Sequence, residues 1–249
     1  MVLRWLARLF APRAPAFRPE WLPFLDRLPF YKALDEDGRR RLQVRAAALI
    51  AGKDWEGCGG LALTDEIRVT IAAQASLLLL HLDVVEFPGV HTILVYPSTF
   101  RPPPRQGQDG VVAGHATLGE AWQQGPVILA WDAARSGALD PTDGRNLVLH
   151  EFAHKLDMLD GAADGAPPQP GRAALQRWAQ VMTAEFERLR RANDRGVPTL
   201  LDSYGAVNPA EFFAVATECF FERGAALRQR HPELYDVMRQ WYRQDPARV

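Results

Sequence analysis

The chain has 249 residues, room for one large domain or two small ones. Its 29 Lys and Arg nearly cancel 30 Asp and Glu, and the resulting charge of −1 argues against a general nucleic-acid binder. Apolar residues make up 47%, too many for a disordered chain, and two cysteines, Cys58 and Cys219, allow neither a disulfide framework nor an all-cysteine metal site.

In the opening MVLRWLARLFAPRAPA, Arg4 and Arg8 interrupt the apolar residues, so no secretory h-region forms, and residues 1–17 read as a basic N-terminal extension. The longest apolar stretch elsewhere, residues 75–82, includes Ser76 and His81 and is far short of the ~18 residues that span a bilayer. A cytoplasmic protein without a transmembrane segment is expected. Residues 18–34, with two Leu-Pro steps, read as an extended lead-in with a short turn of helix. Residues 35–50 read as a helix despite Gly38, and residues 54–63 as a turn-rich connection. Gly57, Gly59 and Gly60 match no phosphate loop of recognised spacing. Thr64 should cap a helix running to about residue 81 that is apolar nearly all round and therefore central.

Residues 91–96 (HTILVY) and 126–131 (PVILAW) read as strands. Between them lies a long Pro- and Gly-containing segment, in which residues 111–117 are a strand candidate. Helices are expected over 145–159, opened by Thr142-Asp143 and closed at Gly161, and over 173–192, 209–222 and 232–243. The expected class is α+β, mostly helical, with a small sheet beside the helix that carries the site.

That helix holds His150-Glu151-Phe152-Ala153-His154. Residues four apart on a helix differ by only ~40°, so both imidazoles leave one face and can close on one Zn²⁺. Glu151 stands ~100° round from His150, where its carboxylate can take a proton from an attacking water without becoming a ligand. With 6 His in the chain, chance would produce this pattern roughly 0.01 times. The bland alternative, two histidines capping a core helix, would leave them poorly satisfied beside Leu147, Val148, Phe152 and Leu156.

A catalytic zinc needs a third protein ligand. Asp160 stands ten residues after His150, as in metzincins, but Asp157 occupies the position where that pattern turns on glycine. Glu211 and Glu218, seven apart, share a face of the 209–222 helix, and a second helix donating a Glu is the gluzincin arrangement. Glu211 is the favoured ligand, with Glu218 and Asp157 expected to orient the imidazoles. Tyr204 could donate a hydrogen bond to a developing oxyanion. His81, His91, His115 and His231 read as structural, and Cys219 as a small buried hydrophobe.

The run from His150 to Asp157, followed by DSYGAVNPAEFFA from Asp202, resembles the Mlc titration factor A family of bacterial zinc peptidases. HTILVYP, WQQGPVILAW and WYRQDP are similar to that family's segments, in the same order, from about residue 20 onward. The zinc-site segment is also similar to the catalytic domain of anthrax lethal factor. The resemblance implies one zinc-peptidase domain over residues 1–249, with His150, His154 and Glu211 on Zn²⁺, Glu151 as general base and Tyr204 as transition-state helper. It also implies a cytosolic protein with aminopeptidase-like activity on peptides that binds the glucose repressor Mlc and so bears on sugar uptake. The alternative is a non-catalytic protein that sequesters the repressor and holds a structural zinc.

Overall fold

The computed structural model describes residues 15–84, 86–98 and 125–248. Among the described residues the chain is mostly helical, with one three-stranded parallel sheet in the order β1-β2-β3: β1 is Asp54–Gly57, β2 Thr92–Tyr96 and β3 Val127–Ala130. The expected strand at 111–117 and residues 1–14 lie outside the described residues.

Helix α1 (Glu36–Gly52) starts where Asp35 accepts a hydrogen bond from the Gly38 amide, so the glycine sits in the first turn, where it weakens the helix least. Helix α2 (Asp65–Leu79) starts at Thr64, whose hydroxyl accepts from the Ile67 amide. Ile67 and every residue from Val69 to Leu79 are buried, as an apolar circumference requires. One side of α2 packs toward the sheet and the site. The other is covered by residues 17–34, through Trp21, Leu25, Leu28 and Tyr31.

Four expectations need correction. Residues 54–57 are strand β1, paired in parallel with β2 from Asp54 opposite Thr92 to Gly57 opposite Val95; four residues with no apolar alternation carry no strand signal of their own. The lead-in is helical turns (Pro19–Trp21, Leu22–Leu25 and Pro29–Ala33), because each proline falls in a first turn, where its missing N–H has no helical partner to lose. The strand at 126–131 stops at Ala130, and Trp131 opens helix α3 (Trp131–Leu139). The helix expected over 145–159 is α4 (Leu147–Asp157), capped by Asn146 and not by Thr142-Asp143, and a 3₁₀ turn carries it to Asp160. Gly161 closes it at φ 93°, as expected of a glycine in the left-handed region.

Helix α5 (Arg172–Asp194) is long and amphipathic, burying Trp178, Val181, Met182 and Leu189. Helix α6 is Pro209–Glu222; a short α7 (Gly224–Arg230) and α8 (Pro232–Tyr242) follow. The main core joins α4 and α6 through Val148, Phe152, Leu156, Phe212, Phe213, Val215 and Phe220, all 2% exposed or less. No helix among the described residues is long and apolar enough to cross a membrane.

Candidate metal centre

Asn146 starts α4 by accepting from the Leu149 amide at 3.0 Å. Val148, Leu149, Phe152, Ala153 and Leu156 drive one side of the helix into the core, and this fixes the azimuth of the opposite side. His150 and His154 leave that side together, with ring centroids 4.9 Å apart.

Helix α6 approaches them from across the core. Asn208 accepts from the Glu211 amide at 2.9 Å, and Pro209 occupies the first turn. An acidic residue three after such a cap often folds back onto the cap's own amide. Here the Glu211 carboxylate turns to the histidines, with Oε2 3.0 Å from His150 Nε2 and 3.3 Å from His154 Nε2. The two Nε2 atoms are 3.2 Å apart. Ligands at ~2.0–2.1 Å in a tetrahedron stand about 3.3 Å from one another, so this triangle has the size of one face of a zinc coordination shell.

The hydrogen bonds on the far side sharpen the fit. His150 Nδ1 lies 2.8 Å from Glu218 Oε1, and a carboxylate there can only accept, so Nδ1 carries the proton. A neutral His150 then aims its Nε2 lone pair at the Glu211 carboxylate and at His154. Three electron-rich atoms converge, and a cation at their centre resolves the conflict. Without one, a second proton must do so. Burial alone would depress His150, but the hydrogen bonds to Glu211 and Glu218, with the charges of Glu218 and Glu151, push it up to about 10. The other oxygen of Glu218 accepts from the Asn146 backbone amide, so the residue that caps α4 also anchors the carboxylate that orients His150.

Tyr204 sits in a 3₁₀ turn (Ser203–Ala206) that Asp202 caps by accepting from the Tyr204 amide at 2.9 Å. Its ring centroid lies 5.9 Å from that of His150. Burial, then the charge of Glu211 and a hydrogen bond to it, raise the phenol above its ordinary range and keep it a donor. Glu151 is half-buried on the same helix, and its charge reaches both His150 and Tyr204.

Among the described residues, one group of metal-ligating side chains converges: His150, His154 and Glu211. Asp160 is exposed and accepts from the Ala162 amide, away from this group. Asp157 does not orient an imidazole through a hydrogen bond. Fully buried, its Oδ2 accepts from the Gly165 amide at 2.8 Å, and burial pushes the group up to about 6. His231 pairs with Glu185 at 2.7 Å, far along the chain from the centre, and Cys219 is buried. Sequence reasoning missed Gly165. Its φ is +78°, a Cβ there would meet the Pro209 carbonyl oxygen at 2.3 Å, and its own carbonyl accepts from Trp178 Nε1 at 2.9 Å. Gly165 thus joins the end of α4 to the start of α6. A glycine in a Gly- and Pro-rich loop carries no sign of that role in sequence.

A metal-sized triangle of two imidazoles and a carboxylate on a His-Glu-x-x-His helix is a peptidase-type arrangement. A family model described as glucose-regulated metallo-peptidase M90 matches residues 3–243. This chain belongs to that metallopeptidase family. Its relatives include an uncharacterized protein of Synechocystis sp., 41% identical over 233 residues, covering 92% of this chain and 85% of that protein. The Mlc titration factor A of Serratia proteamaculans is 33% identical over 251 residues, covering 98% and 94%. That of Yersinia pestis is 31% identical over 250 residues, covering 98% and 91%. The metallopeptidase family implies a metal ion, and the triangle offers it a place.

Proposed function

We propose that this protein is a zinc-dependent metallopeptidase of aminopeptidase type with a gluzincin-like centre, carried by a single domain. The observation that supports this most is the triangle of donor atoms 3.0–3.3 Å apart, with the outer nitrogen of His150 already committed to Glu218. His150, His154 and Glu211 would hold the ion. A zinc ion there supplies a Lewis acid and lowers the pKa of water toward ~7.

The residues around it divide the remaining work. Glu151, next to His150 but outside the triangle, takes the proton from the water that attacks the peptide carbonyl, then passes it to the leaving amine. The Tyr204 hydroxyl moves from Glu211 to donate to the oxyanion that develops on the carbonyl oxygen. Glu218 holds the His150 ring through the cycle by accepting from Nδ1. Strand β3 carries the exposed Ile128, and the chain just before it is joined to α4 where Lys155 donates to the Gly125 carbonyl; an extended peptide would pair along this strand.

Two relatives are named for titrating the repressor Mlc. We extend that to this chain: it binds Mlc or an equivalent repressor in the cytoplasm and links the peptidase to sugar uptake. A purely sequestering protein with a structural metal is the competing reading. Glu151 weighs against it, because a structural zinc needs no general base beside it. Metal content measured together with turnover on a peptide library, before and after chelation, tests the proposal. Hydrolysis lost on chelation and restored by zinc supports it, and a metal-replete protein that cuts nothing in the library contradicts it.

A further inference from the structure

Beside the His150 ring a cleft of about 410 Å³ opens to the surface. His150 and Tyr204 are among its lining residues, with Glu218 and Asn146, so it adjoins the metal centre from the Nδ1 side of His150. Asp143 and Arg145, in the turn that precedes α4, and Asp202 also line it. Leu147, Val215 and the Tyr204 ring give apolar walls, while α3 contributes only small residues, Ala133, Ser136 and Gly137, which leaves the space open.

Glu218 answers the positive charge of the centre, a second proton on His150 or the ion held there, so among the lining residues Asp143 and Asp202 stand against a single guanidinium, that of Arg145. Arg145 pairs with Asp202 at 2.6 Å and is 73% exposed, so it hangs at the mouth and neutralises one of these two carboxylates. Asp143 accepts from the Arg145 amide, but a hydrogen bond of this kind leaves the carboxylate charge in place. A cleft whose outer carboxylates outnumber its cations favours a positive group.

We propose that this cleft is the specificity subsite of the peptidase, receiving a substrate side chain with an apolar stem and a cationic tip, that of lysine or arginine, beside the bond that is cut. The stem lies along Leu147, Val215 and Tyr204, as long cationic side chains do on apolar surface. The tip meets Asp143 and Asp202 and displaces the exposed guanidinium of Arg145. This inference rests on the hydrolytic reading of the metal centre and adds the substrate class to it.

The test is a matched set of short peptides with Lys, Met or Glu placed in turn on either side of the scissile bond, given to the zinc-loaded full chain. The expected order of kcat/KM at one of these positions is Lys, then Met, then Glu, with the Lys advantage shrinking as salt is raised. Asp143→Asn should reduce the Lys-to-Met ratio about fivefold, within the range of a partly exposed ion pair. Ser136→Lys, which sets a cation in the α3 wall without touching the metal ligands, should abolish the preference for Lys over Met. Equal rates for Lys and Met, or a preference that both variants retain, would overturn the subsite. If no peptide is cut, the hydrolytic reading fails. The subsite is then judged by equilibrium binding of the same peptides to the zinc-loaded protein, where equal affinity for Lys and Met overturns it and tighter Lys binding supports it.

Discussion

Glu151 and Glu211 are both acids beside an imidazole, the first on the same helix and the second on α6, yet position gives them different work. Glu211 shares the triangle with two Nε2 atoms, and Glu151 lies outside it. Glu151→Gln should keep zinc and fold while lowering turnover by ~10²–10⁴-fold, because an amide cannot accept the proton. Metal analysis alongside peptide hydrolysis checks both halves of that outcome. Glu218→Gln keeps a partner for His150 Nδ1 but removes the charge behind it. Zinc affinity should fall by ~10–100-fold, the range typical of an outer carboxylate, and competition with a chromophoric chelator reads it. Glu211→Ala should cost more than that, whereas Asp160→Ala should leave the affinity unchanged, since Asp160 is exposed and turned to the Ala162 amide.

At the scale of elements, the centre is two helix starts brought to one place. Asn146 and Asn208 cap α4 and α6 respectively, and each cap stands within four residues of a proposed ligand. Asn208→Ala should cost about 1 kcal/mol in denaturant unfolding and loosen the turn that presents Glu211. Gly165→Ala is expected to be harsher. It combines a left-handed φ with a contact on the Pro209 carbonyl that no side chain can yield to, so both the melting temperature and the zinc affinity should drop. A drop in melting temperature at unchanged zinc affinity would show that Gly165 stabilises the loop without setting the spacing of α4 and α6. How far the elements were legible follows from the same physics. His150, Glu151 and His154 could be read from spacing because helical periodicity is local. Glu211 was harder: its helix was visible, but its approach to α4 depends on the core between Phe152 and Phe212. Strand β1 exists only through its pairing with β2, and α3 begins in an apolar run that reads as strand, so neither announces itself. Asp157 looked like an imidazole partner by spacing, and only the fold shows that it serves the Gly165 loop.

The whole molecule couples metal, protons and stability. Zinc bound by the folded chain alone should raise the melting temperature, by an amount that grows with the logarithm of free zinc and vanishes with chelator. A second linkage is independent of the metal. Burial pushes Glu222 up to about 8, with the charges of Asp143 and Glu218 adding to it and a contact with Asn146 opposing. The folded state therefore holds this proton more tightly than the unfolded chain, whose glutamate titrates near 4.3. The stability from Glu222 is complete below that lower value and is lost as pH rises through about 8. Glu222→Gln should flatten the fall in chelator-treated protein between pH 5 and pH 8 in urea unfolding, and an unaltered slope would place the proton elsewhere. Everything proposed for catalysis depends on where the ion sits, and one observation reads that directly. An anomalous difference map at the zinc edge, from crystals of the zinc-loaded protein, should show a single strong peak about 2.0–2.2 Å from His150 Nε2, His154 Nε2 and a carboxylate oxygen of Glu211. A peak at Asp160, or one that leaves Glu211 outside bonding distance, would contradict the account.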